Sequence, residues 1–433
     1  MKDLPKYLWR AGSTGAVNTI ASALSVALLL PLIIHRVGLD AYGFFAMLAI
    51  FVGIGALLEL GMSKALIYLV PRRPSALSEL FSAALTICAT GYLAFLIIGA
   101  ILLVANVPVF GSAIEAQGNF KWWLCAAGCT LVASNIVTAL VRGALEGAYK
   151  MHVVNLGFAA LTIANYVVVF AATLISDEPS VLVAASACVF ILMTVAHLVL
   201  ARHMLALRWQ TPERSTMHEL TRVGFRSFVA DAPSTMKAPI LQYLFTLAAR
   251  SGADYGVFDL ALRIATLCGT ALSSLSTPFF AVVAGSTRES ADSVRRVIAR
   301  HVRITVATAF AGWLAFILVG DLAIRLILPA APPSLHAITA MVLAGSLAVA
   351  ALEPWTRMQL GLGKQPSIAL VRLAMLAASV LVALAPLALE PLYQFASAFV
   401  AGSCTLCLGL AYLHRRESWG RTRRLPAAET PSS

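Results

Sequence analysis

Between Ser13 and Ile34 the chain runs without a single charged side chain, and this is the first of about twelve predominantly apolar stretches along the 433 residues. An apolar run of about 20 residues is the length a helix needs to cross the hydrocarbon core of a bilayer. With no water in that layer, the backbone must satisfy its own hydrogen bonds, which leaves helices or closed barrels. The runs are continuous rather than alternating, so the barrel pattern does not apply. A mean hydropathy of +0.85 with 12% charged residues places the whole chain, and not one segment, in this class. The expected fold is an all-α polytopic membrane protein of about twelve spans. They fall near 13–34, 43–70, 80–105, 122–141, 153–175 and 181–201, then 229–249, 257–283, 302–320, 336–354, 367–389 and 392–413.

The twelve divide into two sixes. Arg36-Val-Gly38-Leu-Asp40-Ala-Tyr42-Gly43 returns about 214 positions later as Arg250-Ser-Gly252-Ala-Asp254-Tyr255-Gly256, shortened by one residue. Near the same offset, Arg10-Ala-Gly12 matches Arg222-Val-Gly224, and Arg142 with Leu145 and Lys150 matches Arg357 with Leu360 and Lys364. Repeats in one order at one offset mark an internal duplication. The reading is a six-helix unit over 1–201, a basic linker over 202–228, a second unit over 229–413 and a basic, disordered tail over 414–433.

Lys and Arg concentrate in cytoplasmic loops of membrane proteins. With the N-terminus inside, 25 of the 32 Lys and Arg residues fall on the inner side, and only Arg36, Lys121, Arg250 and Arg325 fall outside. Both termini are therefore expected in the cytoplasm. The net charge of +12 follows from this asymmetry and from attraction to anionic headgroups, without nucleic acid. The first apolar run exceeds the length of a signal peptide's apolar region and is kept as an uncleaved helix. All seven cysteines lie within apolar spans, where Cys404-x-x-Cys407 reads as small packing residues, and neither a metal site nor another cofactor is expected.

Charges at membrane depth carry the functional signal, because each is costly unless paired or hydrated. Span seven holds Asp231, Lys237, Pro233 and Pro239. It reads either as a kink whose lost hydrogen bonds hydroxyls replace, or as a broken helix forming a binding site. Asp259 and Arg263 share one helix face at i and i+4. They form either a locking ion pair, or a site in which Arg263 holds an anion while Asp259 or Asp231 changes protonation. Glu59 reads equally as a coupling carboxylate or as a hydrogen-bond anchor. Lys64 and Arg372 are close enough to span ends to snorkel, Arg372 doubling as a candidate anion ligand. Glu353 reads as the partner of Arg357 at a helix end. Tyr42 and Tyr255 read as interfacial aromatics, and a proton relay through His197 is disfavoured.

No His-Glu-x-x-His, Gly-x-Ser-x-Gly or phosphate-binding loop is present, and the outside loops are too short for a catalytic platform, so catalytic residues are not expected. The run Leu30-Pro31 to Gly43-Phe-Phe-Ala, continuing to Leu58-Glu59-Leu60-Gly61-Met62, resembles the polysaccharide flippases of the O-antigen (Wzx) type in the multidrug/oligosaccharidyl-lipid/polysaccharide (MOP) exporter superfamily. Gly252 to Arg263 is similar to that family's junction of helices seven and eight. The resemblance implies two MATE-like six-helix lobes in a V with a pseudo-two-fold repeat, working by alternating access in the bacterial inner membrane. It further implies an undecaprenyl-diphosphate-linked oligosaccharide as cargo, such as the O-antigen unit of lipopolysaccharide. Partners would be membrane lipids, the polymerase and glycosyltransferase machinery, and a coupling H+ or Na+. On that reading Lys237, Arg263 and Arg372 are the diphosphate ligands and Asp231, Asp259 and Glu59 the coupling carboxylates. A cation-coupled multidrug exporter of the same superfamily is the alternative, since cations and carboxylates nearly balance, and a membrane-embedded glycan-processing enzyme is a third reading.

Overall fold

A computed structural model of the chain describes residues 4–105, 114, 118–274, 291–329, 331–361 and 365–420. The described part is helical throughout. The elements are α1 (Leu4–Leu24), a π-helical turn (Ser25–Leu29), α2 (Leu30–Ala46), α3 (Leu48–Leu58), α4 (Met62–Leu69), α5 (Leu77–Val104), α6 (Phe120–Gly147), α7 (Met151–Thr173) and α8 (Pro179–Leu205). The second half contains α9 (Arg214–Ala248), α10 (Gly252–Ser274), α11 (Ala291–Ile327), α12 (Ser334–Gly361), α13 (Gln365–Leu384) and α14 (Pro391–Gly420).

Among the described residues, ten segments are long and apolar enough to cross a membrane, and the first of them, Ser13–Leu58, has 46 residues. It makes two crossings, because Gly38 adopts φ +81° and turns the chain inside α2, a conformation that glycine reaches without Cβ strain. α9 adds a twelfth crossing. It is missing from the ten because Asp231, Lys237 and the Arg-rich stretch before them dilute its hydropathy, although its 35 residues are ample for the thickness.

Helix pairings repeat between the halves. α3 packs on α6 as α10 packs on α12, α1 on α7 as α9 on α13, α6 on α8 as α12 on α14, and α7 on α8 as α13 on α14. α5 packs on α6, α9 and α4, and α11 on α12, and both leave most of their apolar side chains uncovered by protein. That exposure suits lipid. The result is a multi-pass membrane protein with two six-helix lobes of matching internal packing.

Several expected boundaries move. The seventh crossing is helical from Arg214 rather than 229, so the connection between α8 and α9 is only 206–213; Glu79 holds the new start by accepting from Thr216 Oγ1 at 2.6 Å and from the Glu213 amide at 3.3 Å. α9 then runs through Pro233 and Pro239 as one helix, which corrects the expectation of a helix broken at these prolines. Ser234 Oγ and Thr235 Oγ1 both donate to the Asp231 carbonyl, and the Pro239 ring fills the space opposite Gly53. The real break lies elsewhere, at Leu60 (φ 52°) and Gly61 (φ 73°), where the second crossing splits into α3 and α4. The backbone of α14 continues to Gly420, into the segment read as tail. The stretch 275–283 expected in span eight, most of the Asn106–Lys121 loop and the Arg357 side chain lie outside the described residues.

The two lobes meet where glycines let backbones touch. At the hairpin tips, a Cβ on Gly43 would overlap the Gly252 carbonyl, and one on Gly256 would lie 2.9 Å from the Leu39 carbonyl. The Ala253 amide donates to Asp40 Oδ1 at 3.0 Å across the same contact. At the other end of the seam, Gly61 sits against the Gly224 carbonyl.

Candidate functional site

The polar groups at membrane depth gather in three places, two of which join the lobes. The first surrounds Asp259, which is 1% exposed. Its position on α10 follows from the hairpin: Tyr255, Phe258 and Phe245 are buried, with Phe245 and Phe258 4.9 Å apart, and this aromatic wall fixes the face that Asp259 shares. Arg263 Nε donates to Asp259 Oδ2 at 2.5 Å, one helical turn on. Gln242 Nε2 on α9 donates to Oδ1 at 3.3 Å. From the other lobe, the Tyr42 hydroxyl donates to Asp259 Oδ2, and Arg263 Nη1 donates to the Tyr166 hydroxyl at 3.0 Å. One carboxylate thus takes three donors from three helices. Arg263 keeps 29% of its side chain exposed, so it is the member of this cluster that a ligand can reach.

The second place is nearer the Gly61 end. Asp231 on α9 forms ion pairs with Lys64 of α4 and with Arg372 of α13, and Arg372 Nη1 also donates to the Ala230 carbonyl at 2.9 Å. The Arg372 side chain is 9% exposed. Snorkelling, one reading of both cations, is replaced here by a three-residue bridge between lobes. Arg73, in the turn after α4, and Glu219 of α9 lie 2.8 Å apart and add a further tie between the lobes.

The third place is inside the second lobe. Lys237 is 5% exposed; its Nζ donates to the Phe399 carbonyl at 3.0 Å and to Ser403 Oγ at 2.7 Å, and it lies 3.5 Å from the centroid of the Phe399 ring. It is not brought together with Arg263. In this conformation α14 closes its ammonium off from any ligand, and the carbonyl and the ring face supply the negative potential that a carboxylate would otherwise give.

Glu59 stands apart from all three. Its Oε1 accepts the Ser63 amide at 2.9 Å, so it caps α4 just after the Leu60–Gly61 break. Glu59→Ala is accordingly expected to lower stability by about 1 kcal/mol, the usual worth of such a cap. Thermal unfolding checks this; an unchanged melting point would mean that the cap contributes nothing. Tyr166 and Gln242 were not legible in the sequence, since neutral polar side chains are ordinary in any helix. Tyr42 carried a signal, its place in the repeated tip, but its equivalent Tyr255 points its hydroxyl at no partner among the described residues.

Lobes of matching packing, joined at membrane depth by polar bonds, give the chain an all-helical, multi-pass fold of the MATE-like kind. No family model matches the chain, and no curated protein matches it in sequence. Solved structures do. An inward-facing multidrug resistance MATE family transporter of the MOP superfamily superposes with a TM-score of 0.63 at 14% identity, over 95% of this chain and 96% of its own. The lipid II flippase MurJ in an inward closed conformation gives 0.69 at 14% identity, over 95% of this chain and 87% of its own. An outward-facing MATE family transporter gives 0.53 at 16% identity, over 96% and 94%.

Proposed function

We propose that this chain flips an undecaprenyl-diphosphate-linked oligosaccharide, of the kind used for O-antigen or other surface glycans, between leaflets of a bacterial inner membrane, with both termini cytoplasmic. The units 1–201 and 229–413 are the rocking lobes, and glycan polymerase and glycosyltransferases the neighbouring machinery. The observation that carries the reading is the state of the carboxylates. Asp231 is engaged by two cations, and Asp259 by Arg263, Tyr42 and Gln242, so neither offers a free negative charge to a cationic drug. Among the named groups, the cations Lys64, Lys237, Arg263 and Arg372 outnumber Glu59, Asp231 and Asp259, and the partly exposed Arg263 is suited to grip a diphosphate in two-pronged fashion.

In this cycle the bonds of Tyr42 and Tyr166 to the Asp259–Arg263 pair close one end of the seam. Substrate phosphate arriving at Arg263, or a coupling H+ on Asp259, weakens the pair and frees both tyrosines; a coupling Na+ would act by competing with Arg263 for the carboxylate. Export of cationic small molecules is the second reading, supported by the multidrug transporters among the similar structures.

Deleting the chain from its host is expected to leave lipid-linked oligosaccharide accumulated on the cytoplasmic leaflet, and Arg263→Ala to fail to clear it while still reaching the membrane. Unchanged glycolipid with altered drug tolerance would replace the flippase reading by the second one, and normal glycan display by Arg263→Ala would remove the arginine from the site.

A further inference from the structure

We propose that the basic end of α9 is a docking site for the headgroups of anionic phospholipids. Arg214, His218, Arg222 and Arg226 are spaced i, i+4, i+8 and i+12, so they form one stripe along the helix. All four are exposed, and among the described residues none of them makes a hydrogen bond or an ion pair. Several charges nearby are engaged instead: Arg73 with Glu219 at 2.8 Å, Lys64 with Asp231, and Glu213 with the Ser215 hydroxyl at 3.1 Å.

The opposite side of this stretch is the packed one, with Thr216, Leu220 and Gly224 buried against the first lobe. Beside the stripe lie Phe225, 56% exposed, about one turn below Arg222, and Val229, 44% exposed, about one turn below Arg226. Cations directly above uncovered apolar side chains match the boundary where a phosphate headgroup meets acyl chains.

Depth supports the same partner. Arg226 lies about 33 Å along the helix from Ala248, which is about one hydrocarbon thickness. If Ala248 marks one edge of the hydrocarbon, Arg226 and Arg222 stand at the other, and Arg214 and His218 extend beyond it into water. Anionic headgroups are the abundant negative partner at that level, and each basic side chain near such a surface strengthens binding about fivefold. The stripe lies on the helix that also carries Asp231 and Lys237, so lipid held there bears on the element that joins the lobes.

The test is a lipid titration of the intact protein followed by native mass spectrometry, with phosphatidylglycerol and phosphatidylcholine as probes. The wild type is expected to retain phosphatidylglycerol in preference to phosphatidylcholine. Arg222→Gln with Arg226→Gln should weaken phosphatidylglycerol retention about 25-fold and leave phosphatidylcholine unchanged, while Arg222→Lys with Arg226→Lys should restore it. Equal retention of the two lipids by the wild type, or an equal loss of both in the glutamine variant, overturns the proposal. Undecaprenyl diphosphate supplies the remaining arm. If it displaces phosphatidylglycerol from the wild type at a small fraction of its concentration, and the glutamine variant loses that competition, the stripe belongs to the transported lipid and the phospholipid assignment falls.

Discussion

Asp259→Ala is expected to lower stability by about 3–5 kcal/mol, the cost of leaving a buried ion pair with one partner, and to abolish export. The substitution removes the acceptor of Arg263, Tyr42 and Gln242 together. Arg263 then keeps only the Tyr166 hydroxyl, which is no counter-charge. The double variant Asp259→Ala with Arg263→Ala should recover much of the lost stability, because the uncompensated cation is gone, while export stays lost. Thermal unfolding of the three proteins in one detergent, beside glycan display in a deletion host, measures both. An unchanged melting point in Asp259→Ala would mean that Arg263 is solvated well enough to need no carboxylate, and the picture of a closed polar lock would be abandoned.

Gly43→Ala is expected to have an effect of similar size by a different route. Its methyl group would overlap the Gly252 carbonyl, and both partners are backbone at a hairpin tip, so no side chain can swing aside. Restoring van der Waals contact requires the tips to separate by on the order of 2 Å. That shift also draws Tyr42, the preceding residue, away from Asp259. Spin labels at exposed Arg36 and Arg250, in a background without native cysteines, should report a longer and broader separation in Gly43→Ala than in the parent, with export lost. An unchanged distance together with normal export would show that the tip contact takes no part in the cycle.

What the sequence made legible was the cost of charge. Asp231, Lys237, Asp259, Arg263 and Arg372 stood out because no other Asp, Glu, Lys, Arg or His lies in their spans, and the Asp259–Arg263 pair followed from a spacing of four on one helix. What stayed hidden was every bond made between lobes. Lys64 and Asp231 are 167 positions apart, Tyr42 and Asp259 are 217 apart, and no local pattern records such a meeting. The prolines misled for a related reason. Proline predicts a break from local backbone chemistry, but the notch at Gly53 that receives the Pro239 ring belongs to a helix of the other repeat. The break that does exist, at Leu60, falls on a residue with no preference for a left-handed backbone, and only the glycine after it hints at the position.

Lys237 has a consequence for how the molecule deforms. By tying α9 to the Phe399 carbonyl, the Ser403 hydroxyl and the Phe399 ring, it rivets two crossings of the second lobe together at mid-membrane. Near the aligned position of the first lobe stand Ala23, Leu24 and Ser25, none of them a cation, and the π-helical turn begins at that point, at Ser25–Leu29. Two copies that share one packing plan therefore differ in one fastening: the crossings that Lys237 pins together in the second copy are held to move as one piece.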